Sequence, residues 1–130
     1  MKEISLVPKE QPLVGIDAEV ISPDVFVGKG IEEIKGLEVL EGNRRSKLGD
    51  FFDISGSASD DPADLKITID GDVSRSKNIG REMTAGEIHV KGDAGMYIGR
   101  SMRGGKIIVE GNADSFAGQQ MRGGELTIKG

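Results

Sequence analysis

Gly86-Glu87-Ile88-His89-Val90-Lys91-Gly92, Gly105-Lys106-Ile107-Ile108-Val109-Glu110-Gly111 and Gly124-Glu125-Leu126-Thr127-Ile128-Lys129-Gly130 are one pattern written three times, nineteen residues apart. The residues between copies keep the same period, with Gly99 matching Gly118, Met102 matching Met121 and Gly104 matching Gly123. Self-similarity at a fixed period marks a repeat architecture. It also accounts for 20 glycines in 130 residues, about twice the ordinary share of roughly 7%. An earlier copy, Lys66-Ile67-Thr68-Ile69-Asp70-Gly71, keeps Gly80 and Met83 in step, but its strand lies twenty-one residues before the next. The extra length falls within Ser74-Arg75-Ser76-Lys77 and is expected to extrude as a bulge.

Each copy alternates apolar and polar residues, as a half-buried strand does. Ile67, Ile88, Ile107 and Leu126 form one inward column, and Ile69, Val90, Val109 and Ile128 form another. Ile79, Ile98 and Ala117, and Met83, Met102 and Met121, supply further stacked positions. In parallel strands stacked in register, equivalent residues lie about 4.8 Å apart, so like charges repel there and opposite charges attract. The column Lys66, Glu87, Lys106, Glu125 and the column Asp70, Lys91, Glu110, Lys129 both alternate in sign. Parallel crossovers are right-handed. The expected fold is therefore mostly β: a right-handed parallel β-helix, a β-solenoid of about 19 residues per coil, over residues 64–130, with a small N-terminal α/β cap over residues 1–63.

No copy of the repeat is visible before about residue 64, and Ser55 to Pro62 reads as the polar loop at the boundary. Upstream, Glu3 to Val7, Ile16 to Ile21, Leu37 to Leu40 and Phe51 to Ile54 are expected strands. Ser22-Pro23-Asp24 is a helix start, a short helix runs Gly30 to Lys35, and Gly42-Asn43-Arg44-Arg45 is a turn. Phe26, Phe51 and Phe52 are positioned to cover one open end of the stack. The other end, Gly124 to Lys129, leaves an unpaired edge with Leu126 and Ile128, expected to be covered by a partner or further repeats or to drive self-association.

Composition narrows the function classes. The absence of cysteine removes thiolate zinc sites, iron–sulfur ligation and thiol nucleophiles. No apolar run reaches membrane-spanning length and the first residues lack a signal peptide's apolar core, so the expected location is cytoplasmic, with no membrane partner. Net charge is −5, which argues against nucleic acid as a partner. Residues 1–63 hold 7 basic and 13 acidic side chains against 10 and 9 thereafter. The single histidine, His89, faces outward without accompanying ligands and is read as a surface residue. Gly92 to Gly99 does not open a helix in a βαβ unit and is not a dinucleotide loop. No residue is assigned a catalytic, cofactor-binding or metal-binding role. The candidates for contact with a partner are Arg75, Lys77, Arg81, Arg100, Arg103 and Arg122, basic residues on equivalent turns whose charges do not alternate, together with the outward-facing Ile108.

The Gly-x-Ile-x-Val-x-Gly and Met-x-Gly-Gly periods of residues 64–130 resemble a glycine-rich β-helix found in two groups, the C subunit of formylmethanofuran dehydrogenase and the C-terminal domain of the glutamate synthase large subunit. The front half resembles the leader of the formylmethanofuran dehydrogenase C subunit, through Met1-Lys2-Glu3-Ile4, Pro8-Lys9-Glu10-Gln11-Pro12, Ile21-Ser22-Pro23-Asp24-Val25-Phe26 and Gly42-Asn43-Arg44 through Leu48-Gly49-Asp50-Phe51-Phe52. Gly71-Asp72-Val73-Ser74-Arg75, at the irregular copy, does so too. The resemblance implies a non-catalytic assembly subunit of an oxidoreductase complex that reduces carbon dioxide onto methanofuran in methanogenic archaea, acting on an aldehyde or oxo group with ferredoxin. It places a tungsten or molybdenum pterin, iron–sulfur clusters and a metal-dependent, amidohydrolase-like site in partner subunits, so transition metal ion binding belongs to the complex. The alternatives are a scaffold in a glutamate synthase-like enzyme and a polysaccharide-cleaving solenoid; one Tyr and four Phe give the latter few sugar platforms.

Overall fold

The computed structural model describes residues 1–9 and 15–130; part of the Pro8–Pro12 motif thus lies outside the described residues. Strands β1 (Lys2–Pro8), β5 (Phe52–Gly56), β6 (Leu65–Ile69), β8 (Glu87–Val90), β9 (Lys106–Val109) and β10 (Glu125–Ile128) form one sheet in the order β10-β9-β8-β6-β1-β5. Strands β2 (Ile16–Asp17), β3 (Glu38–Glu41), β4 (Arg44–Lys47) and β7 (Ser76–Lys77) form a second in the order β4-β3-β2-β7. Two short helices, α1 (Pro23–Phe26) and α2 (Ile31–Lys35), lie between β2 and β3.

The expected right-handed parallel β-helix is not the architecture found. Both sheets are mixed: β1 pairs antiparallel with β5, and β2–β3 and β3–β4 are antiparallel, whereas β2–β7 and the remaining pairs of the larger sheet are parallel. A β-helix needs parallel sheets on two or three sides of every coil. Here the nineteen-residue spacing makes strands on one side only; the return path carries the isolated bridges Val73↔Ala94 and Ala94↔Ala113 and a series of turns. Those turns interrupt any second sheet with residues at positive φ. Asn78, Tyr97 and Phe116 take 67°, 61° and 65°, and Glu82, Ser101 and Gln120 take 61°, 57° and 57°.

On the strand side the spacing sets the register. Lys66 pairs with Glu87, Glu87 with Lys106 and Lys106 with Glu125, and β1 adds Glu3 opposite Lys66. Five levels thus alternate in sign. Behind them Ile4, Ile67 and Ile107 are fully buried, as are Leu6, Ile69, Val90 and Val109. At β10, the edge of the sheet, Leu126 is partly buried and Ile128 is 37% exposed. Close approach of successive levels needs glycine at two matched positions. A Cβ on Gly104 would lie 2.2 Å from the Thr84 carbonyl oxygen, and one on Gly123 2.3 Å from that of Arg103.

The first half is built of single-use pieces. Ser22 caps α1 by accepting from the Asp24 N–H at 3.2 Å, and Pro23 supplies a preset φ at the first helical position. The Gly30 N–H donates to Glu33 Oε1 at 3.4 Å at the start of α2. Strand Ile16 to Ile21 is shorter than expected: pairing stops at Asp17, and the chain turns so that the Ile21 N–H reaches the Ala18 carbonyl. Arg44 and Arg45, expected in a turn, begin β4 instead; the loop is Gly42-Asn43 alone, with Gly42 at a φ of 59°. Phe26 and Phe52 are buried in the core that the strand columns share, and Phe51 packs against it.

Candidate functional site

The irregular copy is where the two halves of the chain meet. The extra length at Ser74 to Lys77 does not merely extrude: its last two residues are β7, which pairs parallel with β2, Ser76 opposite Ile16 and Lys77 opposite Asp17. Around this seam, side chains of the first half reach turns of the second. Arg81 Nη1 donates to Glu19 Oε2 at 2.9 Å, and Asn78 Nδ2 donates to Asp17 Oδ1 at 3.2 Å. Thr84 donates its backbone N–H to Asp24 Oδ1 at 3.1 Å and its hydroxyl to Asp24 Oδ2 at 2.6 Å. Arg75 and Lys77 line an open cleft of about 320 Å³ with Ile16, Ser74, Met96 and Asp114.

The remaining basic candidates occupy the turns beyond the seam. Arg103 and Arg122 are exposed and sit on successive levels, since their N–H groups bond the Met83 and Met102 carbonyls. Arg100 is half-buried, with its guanidinium 4.9 Å from the centre of the Tyr97 ring. Arg81 is committed to Glu19, which separates it in role from the exposed cations. Ile108 is half-buried between His89 and Thr127 of the neighbouring strands.

The aromatic pair beside Arg100 is not anticipated by the sequence patterns above. Tyr97 and Phe116 stack with centroids 5.2 Å apart and planes 13° from parallel, and Phe116 is 53% exposed. Both bulky residues take a left-handed conformation, which costs on the order of 1–3 kcal/mol each. Their nineteen-residue separation is the available signal, since two of the chain's few aromatics share one column of the repeat.

On the strand face, His89 Nε2 pairs with Glu110 Oε2 at 2.5 Å, and Lys129 Nζ lies 3.3 Å from Glu110 Oε1. The hydrogen bond from His89, followed by the pairing with Lys129, holds the Glu110 carboxyl below its ordinary 4.5. This is a linked surface network rather than a ligand set. Among the described residues, no three His, Cys, Asp or Glu side chains come together in a way that would hold a metal ion. Nor, among them, is any helix long and apolar enough to cross a membrane.

Comparison with known proteins gives this surface a context. The chain is 60% identical over 98 residues to the C subunit of the tungsten-containing formylmethanofuran dehydrogenase 2 of Methanothermobacter wolfeii. The similarity is to the C subunit of formylmethanofuran dehydrogenase. Its counterpart in the molybdenum-containing formylmethanofuran dehydrogenase 1 of Methanosarcina barkeri is 45% identical over 98 residues. Each match takes in 75% of this chain but only 36% and 33% of the respective relative, so the chain spans about a third of the length of these subunits. In three dimensions it superimposes with a TM-score of 0.84, at 28% identity, on a chain of the formyltransferase/hydrolase complex of Methylorubrum extorquens crystallised with methylofuran. That match covers 95% of this chain and 45% of the other. No protein-family model matches. The glutamate synthase alternative gains no support from these relatives.

Proposed function

We propose that this chain serves as a non-catalytic assembly part of the C subunit of a formylmethanofuran dehydrogenase, in the cytoplasm of a methanogenic archaeon. The observation that carries the reading is the 60% identity over 98 residues with a C subunit of that enzyme. The superposition on a chain from a formyl-transferring complex of several subunits supports it independently of that alignment.

In this reading residues 1–63 cover one end of the stacked strands, supported by β1 and β5 lying beyond β6 in the larger sheet. Arg100, Arg103 and Arg122, with Arg75 and Lys77 at the cleft and Ile108 on the strand face, meet acidic and apolar groups of neighbouring subunits. The pterin-bound tungsten or molybdenum, the iron–sulfur clusters and the hydrolase-type metal site lie in those neighbours. The chain contributes rigid placement: paired strands fix the turns, and the turns fix the cations.

Affinity purification of the tagged full-length protein from its native cell tests this. Co-elution of a pterin–metal protein, an iron–sulfur protein and an amidohydrolase-like protein is the expected result; elution alone, or with flavoenzyme domains, overturns it. Replacing Arg100 and Arg122 by Glu should lower the recovered partners at least several-fold, and unchanged recovery would remove those residues from the contact.

A further inference from the structure

A cluster of cations lies on the smaller sheet, at the end away from β7 and far in sequence from the arginines above. Residues 1–63 are strongly acidic, yet three of their seven cations, Arg44, Arg45 and Lys47, fall within the four residues of β4. That strand is the edge of the smaller sheet. Among the described residues it pairs with β3 alone, in a hairpin closed by Glu41 opposite Arg44 across a two-residue loop. The closing pair of such a hairpin exchanges both backbone hydrogen bonds and the next pair does not, so the N–H and C=O of Arg45, opposite Leu40, face away from the sheet. The Lys47 N–H also faces outward, where Asp50 Oδ2 accepts it at 3.0 Å.

The side chains divide in the same way. Arg45 is held by Glu38, with Nε 3.5 Å from Oε1. Arg44 and Lys47 have no side-chain partner among the described residues. Leu40 lies directly across from Arg45, 43% exposed. Cations on an edge strand can act simply to repel a second strand. Here, however, they stand on a chain of net charge −5, beside an exposed leucine and a backbone N–H and C=O that no described residue pairs.

We infer that β4 is a docking edge for an extended, acidic segment of a partner subunit, which adds to the strand through the Arg45 backbone and sets carboxylates against Arg44 and Lys47. This is β-strand addition with charge providing the selection. The inference rests on the proposed place in an assembly of several subunits.

The test uses the full-length protein in its complex, immobilised through a tag on this subunit and washed with increasing salt. R44E/K47E should release partner subunits at clearly lower salt than wild type, with apparent affinity reduced about ten-fold or more. R45P removes the outward N–H of the edge together with the Arg45–Glu38 ion pair and should weaken retention as well. Far-UV circular dichroism shows whether each variant folds; should either fail, R44Q/K47Q replaces it and should still lower the salt at release. Equal retention of folded variants and wild type overturns the inference while leaving the assembly role intact. Wild type that retains no partner at any salt overturns both. A wild-type dimer in sedimentation that R44E/K47E dissociates would assign the edge to a second copy and overturn the partner-subunit occupant.

Discussion

The two halves of this chain hold themselves together by different means. From Leu65 onward, strands twenty-one and then nineteen residues apart stack equivalent side chains, so Ile67, Ile107 and Val109 are fully buried by near-copies of themselves. Before that point nothing repeats, and the polypeptide is fastened by particular contacts: β2 on β7, Glu19 on Arg81, Asp24 on Thr84. Both halves share one core, but the stack builds its part from repeated levels, while the unique half adds the joints by which the stack is gripped. Mutations should separate the two.

The largest effect is expected in the stacked half. Ile107→Ala empties a fully buried position between two other aliphatic levels and should cost about 4 kcal/mol in chemical denaturation. Leu40→Ala, 43% exposed in the unique half, should cost less than about 0.5 kcal/mol. Comparable costs at the two sites would mean that Ile107 is not packed between its neighbouring levels. Next comes backbone spacing. Gly104→Ala forces a methyl to within 2.2 Å of the Thr84 oxygen and should lower stability by about 3 kcal/mol. Gly30→Ala, with open space around it, should change stability little, and a harmless Gly104→Ala in thermal melts would mean that the levels are not tightly apposed. A joint ranks third. Asp24→Ala removes both bonds to Thr84 and should cost about 1 kcal/mol. Hydrogen exchange should quicken around α1 while β8 and β9 keep their protection; loss of protection in all three would sink the idea of separable joints.

The smallest effect is electrostatic. Because the Glu110 carboxyl is held below its ordinary 4.5 by His89 and then Lys129, its contribution to stability is complete above the ordinary value. It is lost as pH falls through the lowered one. His89→Ala should move the Glu110 titration up toward 4.5, read by carboxyl carbon NMR, and an unmoved titration would assign the lowering to other groups.

What the sequence reveals follows the same division. The positions of β8, β9 and β10, and the register that joins them, can be read from the spacing, because each copy obeys the same local rule. The β-helix expectation fails because a period specifies a repeated path but not how many sides of that path become sheet. Tyr97 and Phe116 adopt a turn conformation that their side chains disfavour, so no propensity points to the turns that interrupt it. The insertion at Ser74 to Lys77 is visible as a break in period, but its pairing with Ile16 and Asp17, some sixty residues earlier, depends on tertiary contact. Strand β4 carries no apolar residue to mark it, and it exists because β3 folds back beside it. Of the contact candidates, the cations are legible as an unalternating set, whereas the engagement of Arg81 by Glu19 and the ring under Arg100 are not.

The column Glu3, Lys66, Glu87, Lys106, Glu125 has a further consequence. Its signs behave as a parity code. A strand displaced by one level meets its own sign at every pairing, whereas a displacement of two levels restores every match, so the charges distinguish odd errors from even ones. Glu3 is the member of the code that lies outside the repeat. By obeying the same parity, it sets the sign that the first repeated strand beside it must carry.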